Sequence, residues 1–316
     1  MVDLDDIRKD RPIPPPKLPP YFTIEQPLHI LSDVIKERGL QNGTIAVEKE
    51  LLSDPRSHSV LVKDNPRARL VEADGIFVEL QKVKTPDEIT ALKGATQLTI
   101  KGIQAIVSSR VLGATIGELH LRYKRGVLKA ATPDNAMHLD ALRAGITAGD
   151  FLSTLHWPGK QVTKGDIIWV DAGVNLFGYY ADMGRTFSVG KPDALSKKVF
   201  SALKDGFEEG LRRIKPGVKF KEIHKAIQDR VVKSGLEWYA RGSMGHMLGI
   251  GPGTHQPPPF ISAEEETEFE ANMVLCVENP AYVNGLGGFQ IEEELLITTT
   301  GYEVLTKELP RDIVEV

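Results

Sequence analysis

Two acidic residues stand in an apolar stretch of this 316-residue chain, within the segment DIIWVDAGVNLFGYYADMGRTF that starts at Asp166. The pattern predicts two strands, Ile167–Val174 and Tyr179–Val189, joined by a short turn that contains glycine. With the turn centred between positions 176 and 177, Asp171 lies directly opposite Asp182. Opposed Cβ atoms are about 5 Å apart, and two carboxylates at this distance repel by about 3 kcal/mol at an effective dielectric of about 20. The pair therefore requires a counter-charge, which one or two divalent cations would supply.

A second pair of acids is predicted on a second hairpin. Glu278 ends an apolar strand that begins at Met273, and Glu292 ends a short apolar segment after a glycine-rich loop. If the connection is centred on Gly285, the two glutamates oppose each other. Cys276, the single cysteine, lies two residues before Glu278 and faces the same side. We expect it to be a buried core thiol rather than a metal ligand.

One histidine completes a possible ligand set. His246 follows Gly245, and a glycine neighbour allows the backbone and the ring to come close to a ligand. Glu293 and Glu294 are expected to be solvated charges. The set of Asp, Asp, His, Glu and Glu matches two divalent cations, and its many oxygens favour Mn²⁺, Co²⁺, Fe²⁺ or Zn²⁺ in a hydrolytic site over a structural zinc held by thiolates.

The elements that must position these residues are predicted from capping signals and apolar periodicity. Capping boxes at Thr85 and Thr115 open two helices, and apolar spacing predicts two more over 195–214 and 220–233. The glycine-punctuated segment 138–155 predicts short strands and turns. The order helix, helix, hairpin, repeated once, predicts two similar halves with a site at their junction.

The chain is predicted to have three parts. Residues 1–22 form a proline-rich arm, 23–82 a small α/β domain, and 83–316 the catalytic domain. The small domain is expected to contain a helix over Leu28–Glu37, and strands over Thr44–Val47 and Ile76–Leu80.

Composition excludes several classes of protein. The net charge of −4 gives no basic field for nucleic acid. A single cysteine excludes a disulfide framework within the chain and indicates a reducing compartment. No apolar run reaches the roughly 18 residues of a membrane span, and the charged N-terminus is unlike a secretory signal. We therefore expect a cytoplasmic protein with no membrane partner.

The motifs of this chain resemble those of the pita-bread metallopeptidases, the family of prolidase, aminopeptidase P, methionine aminopeptidase and the metal-free creatinases. Over roughly residues 80–316 the resemblance rests on ordered motifs: VKTPDEITALKGA, TLHWPG, VDAG with YYADMGRTF, GHMLG with HQPP, VENP, QIEEELLIT and LPRDIVEV. It implies an α+β pita-bread catalytic domain behind the short N-terminal α/β domain. Metal-free creatinase chemistry is disfavoured because all five ligands are present.

The resemblance also implies a role for each site residue. One metal ion would bind Asp171, both ions would share Asp182 and Glu292, and the other ion would bind His246 and Glu278. Three further roles follow in the reaction, namely proton relay by Glu278, stabilisation of the tetrahedral intermediate by His255, and lining of the substrate pocket by His156. The expected activity is hydrolysis of short peptides with proline in the second position, by a homodimer that prefers Mn²⁺.

Three residues depart from the family pattern. Gly184 stands where the family usually has a hydroxyl residue, Gln290 where it has arginine, and Gln256 where it has glutamate. Because none of the three is a predicted metal ligand, the departures concern the surroundings of the metal ions and hence the substrate. Two alternatives therefore stay open: a specialised non-peptide hydrolase or lyase on the same fold, and a binding protein that lost catalysis.

Overall fold

A computed structural model describes residues 25–155, 157–250 and 256–316 of the chain. Contacts divide the chain into two compact units, one ending at Glu79 and one spanning Leu80–Val316. The division falls near the domain boundary expected at 82/83. The predicted proline-rich arm over residues 1–22 lies outside the described residues, so its extent stays a prediction.

The first unit contains a small parallel sheet and several helices. Its elements are α1 (Glu25–Glu37), β1 (Thr44–Val47), α2 (Lys49–Ser53), α3 (Pro55–Asp64), β2 (Arg69–Glu72) and α4 (Asp74–Lys82), which continues past the division. The predicted strand over Ile76–Leu80 is wrong, because this segment belongs to α4. The amides of Ile76 and Phe77 both donate to the carbonyl of Ala73, which closes a helical turn. A short apolar run fits either period, so periodicity alone could not decide.

The second unit begins with two long helices and a sheet. Its first elements are α5 (Pro86–Val107), α6 (Ile116–Ala130), α7 (Pro133–Ala136), β3 (Leu139–Ala148), α8 (Phe151–Thr154), β4 (Ile167–Leu176), β5 (Tyr179–Tyr180) and β6 (Met183–Ser188). The structure confirms both predicted capping boxes: the Thr85 and Thr115 side chains accept from the amides of Glu88 and Glu118, whose carboxylates accept from the threonine amides.

A second helix pair and sheet follow. The elements are α9 (Ala194–Arg213), α10 (Phe220–Lys233), β7 (Ser243–Met247), β8 (Phe260–Ser262), β9 (Val274–Glu278), β10 (Ala281–Val283), β11 (Gly287–Phe289), β12 (Glu292–Ile297), β13 (Tyr302–Val304) and β14 (Val314–Glu315). Strands β10 and β11 form a small hairpin of their own within the connection from β9 to β12.

Each helix pair covers one sheet. The first sheet has the order β14-β6-β4-β3, with β5 paired to β4, and shares a core with α5 and α6. The second has the order β13-β12-β9-β7-β8 and shares a core with α9 and α10. Each half of this unit thus contains two long helices and a sheet, as the repeated order of helix, helix and hairpin predicted. In the part of the chain that the structure describes, no helix is long and apolar enough to cross a bilayer.

Candidate metal centre

The hairpin formed by β4 and β6 has a different register from the predicted one. Asp171 pairs with Gly184, not with Asp182. The turn consists of Phe177 and Gly178, whose φ angles of 55° and 86° are those of a two-residue hairpin turn in which both residues are left-handed. The register is therefore shifted by two residues. Because side chains alternate with a period of two, such a shift keeps Asp182 on the same face as Asp171.

Four of the five predicted ligands meet at the junction of the two sheets. Among the described residues, donor atoms of Asp171, Asp182 and Glu292 lie within 4.8 Å of one another, and so do those of His246, Cys276 and Glu292. Glu292 belongs to both groups.

Glu278, the fifth predicted ligand, belongs to neither group, although it pairs with Glu292 across the β9–β12 ladder, as the sequence predicted. Arg241 Nη2 lies 3.9 Å from Oε2 of Glu278.

His246 is held with one ring nitrogen directed at the acids. Its Nδ1–H donates to the carbonyl of Met247 at 2.9 Å, which leaves Nε2 as the nitrogen for a cation. Nε2 lies 3.5 Å from Asp182 Oδ2 and 3.1 Å from Cys276 Sγ. Gly245 permits this arrangement: its φ is 144°, and a Cβ there would lie 2.2 Å from the carbonyl oxygen of Cys276.

Arg143 supplies a counter-charge that the sequence reasoning missed. It lies on β3, and its guanidinium donates to Asp171 Oδ1 at 2.9 Å and to Asp182 Oδ1. The segment 138–155 was expected to form only short strands and turns, yet β3 is a ten-residue strand, with Arg143 opposite Gly173. Gly173 follows Asp171 by two residues, so both point to the same face of β4. Arg143, as the partner of Gly173, therefore lies on the same face as the acids.

Burial and mutual repulsion raise the pKa values of three of the acids, even with Arg143 beside them. Burial and then the charge of Asp182 raise the pKa of Asp171 to about 7. Burial, followed by the charges of Asp182 and Asp171, raises the pKa of Glu292 well above its usual value, and burial also raises that of Glu278. Carboxylates that resist ionisation together, beside the imidazole of His246, fit divalent cations.

Glu293 and Glu294 are not solvated, so that prediction is wrong. Both faces of β12 are covered, and every residue of the strand is buried. Glu293 pairs with Arg185 at 2.9 Å and with Arg311 at 2.7 Å. Glu294 accepts from the amide of Asp182 at 2.8 Å and from the hydroxyl of Thr96. Glu294 therefore holds the backbone of a candidate ligand across the junction of the sheets.

Comparison with known proteins identifies the family. The sequence profile of metallopeptidase family M24 matches residues 91–299, which is more than half of the chain. The chain belongs to this family. M24 metallopeptidases use divalent metal ions, in agreement with the donor set at the junction. An uncharacterized peptidase of Staphylococcus saprophyticus is 31% identical over 239 residues, which cover 74% of this chain and 65% of that protein. The chain thus spans just under two thirds of the length of that relative.

Solved structures show the fold of this M24 protein. A Xaa-Pro dipeptidase from Bacillus anthracis matches with a TM-score of 0.80 at 23% identity, covering 92% of this chain and 78% of that one. An X-Pro aminopeptidase from Thermotoga maritima matches with a TM-score of 0.77, also at 23% identity, covering 92% and 79%. The predicted pita-bread fold is confirmed.

Two of the departures from the family pattern are in direct contact. Trp169 Nε1–H donates to Gln290 Oε1, and Gln290 Nε2–H donates to Glu292 Oε2 at 2.7 Å. A Cβ on Gly184 would lie 2.5 Å from Cγ and Cδ of Gln290. In this M24 protein, glycine at 184 therefore makes the room that lets Gln290 hold a candidate ligand.

We predict that Gly184→Ala destabilises the protein by about 1–3 kcal/mol, because the added Cβ overpacks the buried Gln290 side chain. Displacement of that amide from Glu292 should also weaken metal binding by about 10- to 100-fold. The measurements are urea unfolding and metal titration of Gly184→Ala, Gln290→Ala and the double variant. In the double variant the overpacking is relieved, so its loss of stability should be smaller than the sum of the single losses. Additive losses would contradict the coupling.

The other residues with predicted roles are not placed by the structure. His156 and His255 lie outside the described residues, and their roles stay predictions. Gln256, the third departure, is exposed.

Proposed function

We propose that this M24 protein is a dinuclear-metal-dependent peptidase that hydrolyses short peptides, with a preference for proline in the second position. The observation that carries the proposal is the convergence of Asp171, Asp182 and His246 around Glu292 in a pita-bread fold. The membership of Glu292 in both donor groups supports its role as a ligand shared by two ions.

The proposed ligands follow the order of the motifs. Asp171 would hold one ion, Asp182 and Glu292 would lie between the two, and His246 with Glu278 would hold the other. The candidates are Mn²⁺, Co²⁺, Fe²⁺ and Zn²⁺, which accept carboxylate and imidazole donors. Two such ions would supply Lewis acidity towards a peptide carbonyl and a nucleophilic water at neutral pH.

The side chains of the chain would bind the substrate and move the proton. Glu278 is buried, and burial raises its pKa, which makes its carboxylate a stronger proton acceptor than an exposed glutamate and suits it to relay a proton. We propose that His255 stabilises the developing oxyanion and that His156 lines the substrate pocket. Both roles rest on the motifs HQPP and TLHWPG.

An aromatic group beside the centre supports a substrate with an apolar ring. The rings of Phe151 and Tyr282 stack with centroids 4.1 Å apart, and Trp169 meets Phe151 edge-on at 5.1 Å. Tyr282 remains 41% exposed, so this surface is open to a ligand. Since Trp169 donates to Gln290, which donates to Glu292, the aromatic group adjoins the proposed metal centre. A proline side chain would pack against such a surface.

We also propose that the protein forms a homodimer and works in the cytoplasm. The proposal of a dimer rests on the resemblance to the family, and the proposal of the compartment rests on the single cysteine.

The contact between Gly184 and Gln290 supports a second candidate, a specialised metal-dependent hydrolase or lyase on the same scaffold. In this chain the amide of Gln290 donates to Glu292, at a position where the family usually has arginine.

The test is a substrate panel on protein stripped of metal and reloaded separately with Mn²⁺ or Co²⁺. The panel contains Xaa-Pro dipeptides, longer peptides that begin Xaa-Pro, and matched Xaa-Ala peptides as controls. We expect release of the first amino acid from the proline peptides, faster than from the alanine controls, with about two ions bound per chain. Bound metal without turnover of any peptide would contradict the peptidase and favour the specialised enzyme. Failure to bind metal would contradict both.

A further inference from the structure

We propose that Cys276 is a sixth donor of the centre and binds, as a thiolate, the metal ion held by His246. The inference rests on the dinuclear centre of the proposed function and goes beyond the five ligands that the motifs predict. It would make one of the two positions a mixed sulfur, nitrogen and oxygen site.

The donor atoms already lie close enough to share one ion. Cys276 Sγ is 3.1 Å from His246 Nε2, and both lie within 4.8 Å of a carboxylate oxygen of Glu292. Zinc binds imidazole nitrogen at about 2.0–2.1 Å and thiolate sulfur at about 2.3 Å, so the two donors of a tetrahedral site stand about 3.6 Å apart. The observed separation requires a displacement of only about half an ångström to reach that geometry.

The sheet holds the thiol in this position. Cys276 pairs with His246 on one side, in the β7–β9 ladder, and with Glu294 on the other, in the β9–β12 ladder. Paired residues point to the same face of a sheet, so the thiol and the imidazole project together. Cys276 also precedes Glu278 by two residues, which places both side chains of β9 on this face.

The surroundings distinguish this thiol from an ordinary core cysteine. Cys276 is fully buried and belongs to an apolar cluster with residues such as Leu92 and Leu248, as expected for a core residue. Its sulfur, however, lies 3.1 Å from Nε2 of His246 and forms one compact donor group with that nitrogen and a carboxylate oxygen of Glu292. A sulfur, a nitrogen and an oxygen donor, all buried and within 4.8 Å of one another, form a group that could hold a metal ion.

A thiolate changes which metals the site prefers. The Cys276 thiol would release its proton to solvent when the ion binds, as cysteine ligands do. Sulfur is a soft donor, and soft donors select Co²⁺, Fe²⁺ and Zn²⁺ over Mn²⁺, which prefers oxygen. The expectation of manganese, based on five oxygen and nitrogen donors, is thereby revised for the position that holds His246.

Cobalt spectroscopy tests the assignment cleanly, because the chain has a single cysteine. Metal-free protein is titrated with cobalt chloride without oxygen, and the near-ultraviolet absorption from sulfur to Co²⁺ is recorded. We expect the band in the wild type and its loss in Cys276→Ser and Cys276→Ala, while the visible cobalt bands persist. We also expect Cys276→Ser to lower the preference for Co²⁺ over Mn²⁺, measured by competition, by at least about tenfold.

A measurement on the unmodified protein covers the case in which the variants do not fold. X-ray absorption of the zinc-loaded wild type should show a sulfur neighbour at about 2.3 Å. Two ions bound with no sulfur neighbour and no charge-transfer band would overturn the role of Cys276 and leave the dinuclear centre intact. Failure of the wild type to bind cobalt or zinc would overturn the dinuclear centre itself, and with it this inference.

Discussion

Asp182→Asn is expected to abolish metal binding at the proposed dinuclear centre and to lower the proposed peptide hydrolysis by about a thousandfold or more, since Lewis-acid catalysis supplies several kcal/mol. Asp182 is the acid that links the parts of the centre. It shares the Arg143 guanidinium with Asp171, its Oδ2 lies 3.5 Å from His246 Nε2, and its amide donates to Glu294. An asparagine keeps the size of the side chain and removes the negative charge. The measurement combines elemental analysis with initial rates on Xaa-Pro peptides.

The matched control is Asp140→Asn, which makes the same chemical change at an exposed position on β3. It should leave the metal content and the rate unchanged. Two ions per chain and a normal rate in Asp182→Asn would refute the assignment of this residue to the centre. If circular dichroism shows that Asp182→Asn loses the folded state as well as the metal, the test passes to Asp182→Glu. This variant keeps the charge and should retain part of the metal binding.

Arg185→Met is expected to lower the free energy of unfolding by about 3–5 kcal/mol, the usual cost of removing one partner of a buried ion pair. Arg185 and Glu293 are 3% and 1% exposed, and their atoms Nη2 and Oε2 are 2.9 Å apart. The guanidinium also donates to the carbonyls of Gly184 and Glu292. Methionine fills much of the space but leaves the Glu293 carboxylate buried with less positive charge beside it. Urea unfolding of the metal-free protein measures the change.

Two further variants separate the charge from the packing. Arg311 also pairs with Glu293, but its side chain is 35% exposed, so Arg311→Met should cost less than Arg185→Met. The double variant Arg185→Met with Glu293→Met removes both buried charges and should recover part of the lost stability. A double variant less stable than Arg185→Met would show that the loss comes from the carbonyl contacts instead of the ion pair.

Stability and site geometry are coupled because the same residues join the sheets and hold the ligands. Arg185 on β6 reaches the carbonyl of Glu292 on β12, and the Thr186 hydroxyl bonds to both the amide and the carbonyl of Gln290. These contacts set the distance between the β4–β6 hairpin and the β9–β12 pair. Metal ions that bind only the folded state would in turn stabilise it by mass action.

The residue types of the candidate ligands, and the helices and strands that carry most of them, were predictable from the sequence. Local patterns such as capping boxes and strand alternation determine these features. Capping boxes placed α5 and α6, and alternation placed Asp171 and Asp182 on one face even though the predicted register was wrong by two residues. The turn at Phe177 and Gly178 was misjudged because glycine was not used to centre it, although glycine at the second turn position is the usual signal. Glu278 opposite Glu292 was predicted correctly from the centre of the connection.

What the sequence determined by itself was therefore the family, the pita-bread fold and a candidate set of acidic ligands with one histidine, since these depend on motifs, periodicity and the type of each side chain. Only the tertiary structure decided which other groups surround that set. Arg143 reaches the acids from a third strand, Glu293 and Glu294 are buried because β12 is covered on both faces, and Cys276 faces His246 across a ladder. These contacts join residues far apart in the chain, so their partners follow from strand order and sheet packing, which local sequence patterns do not encode.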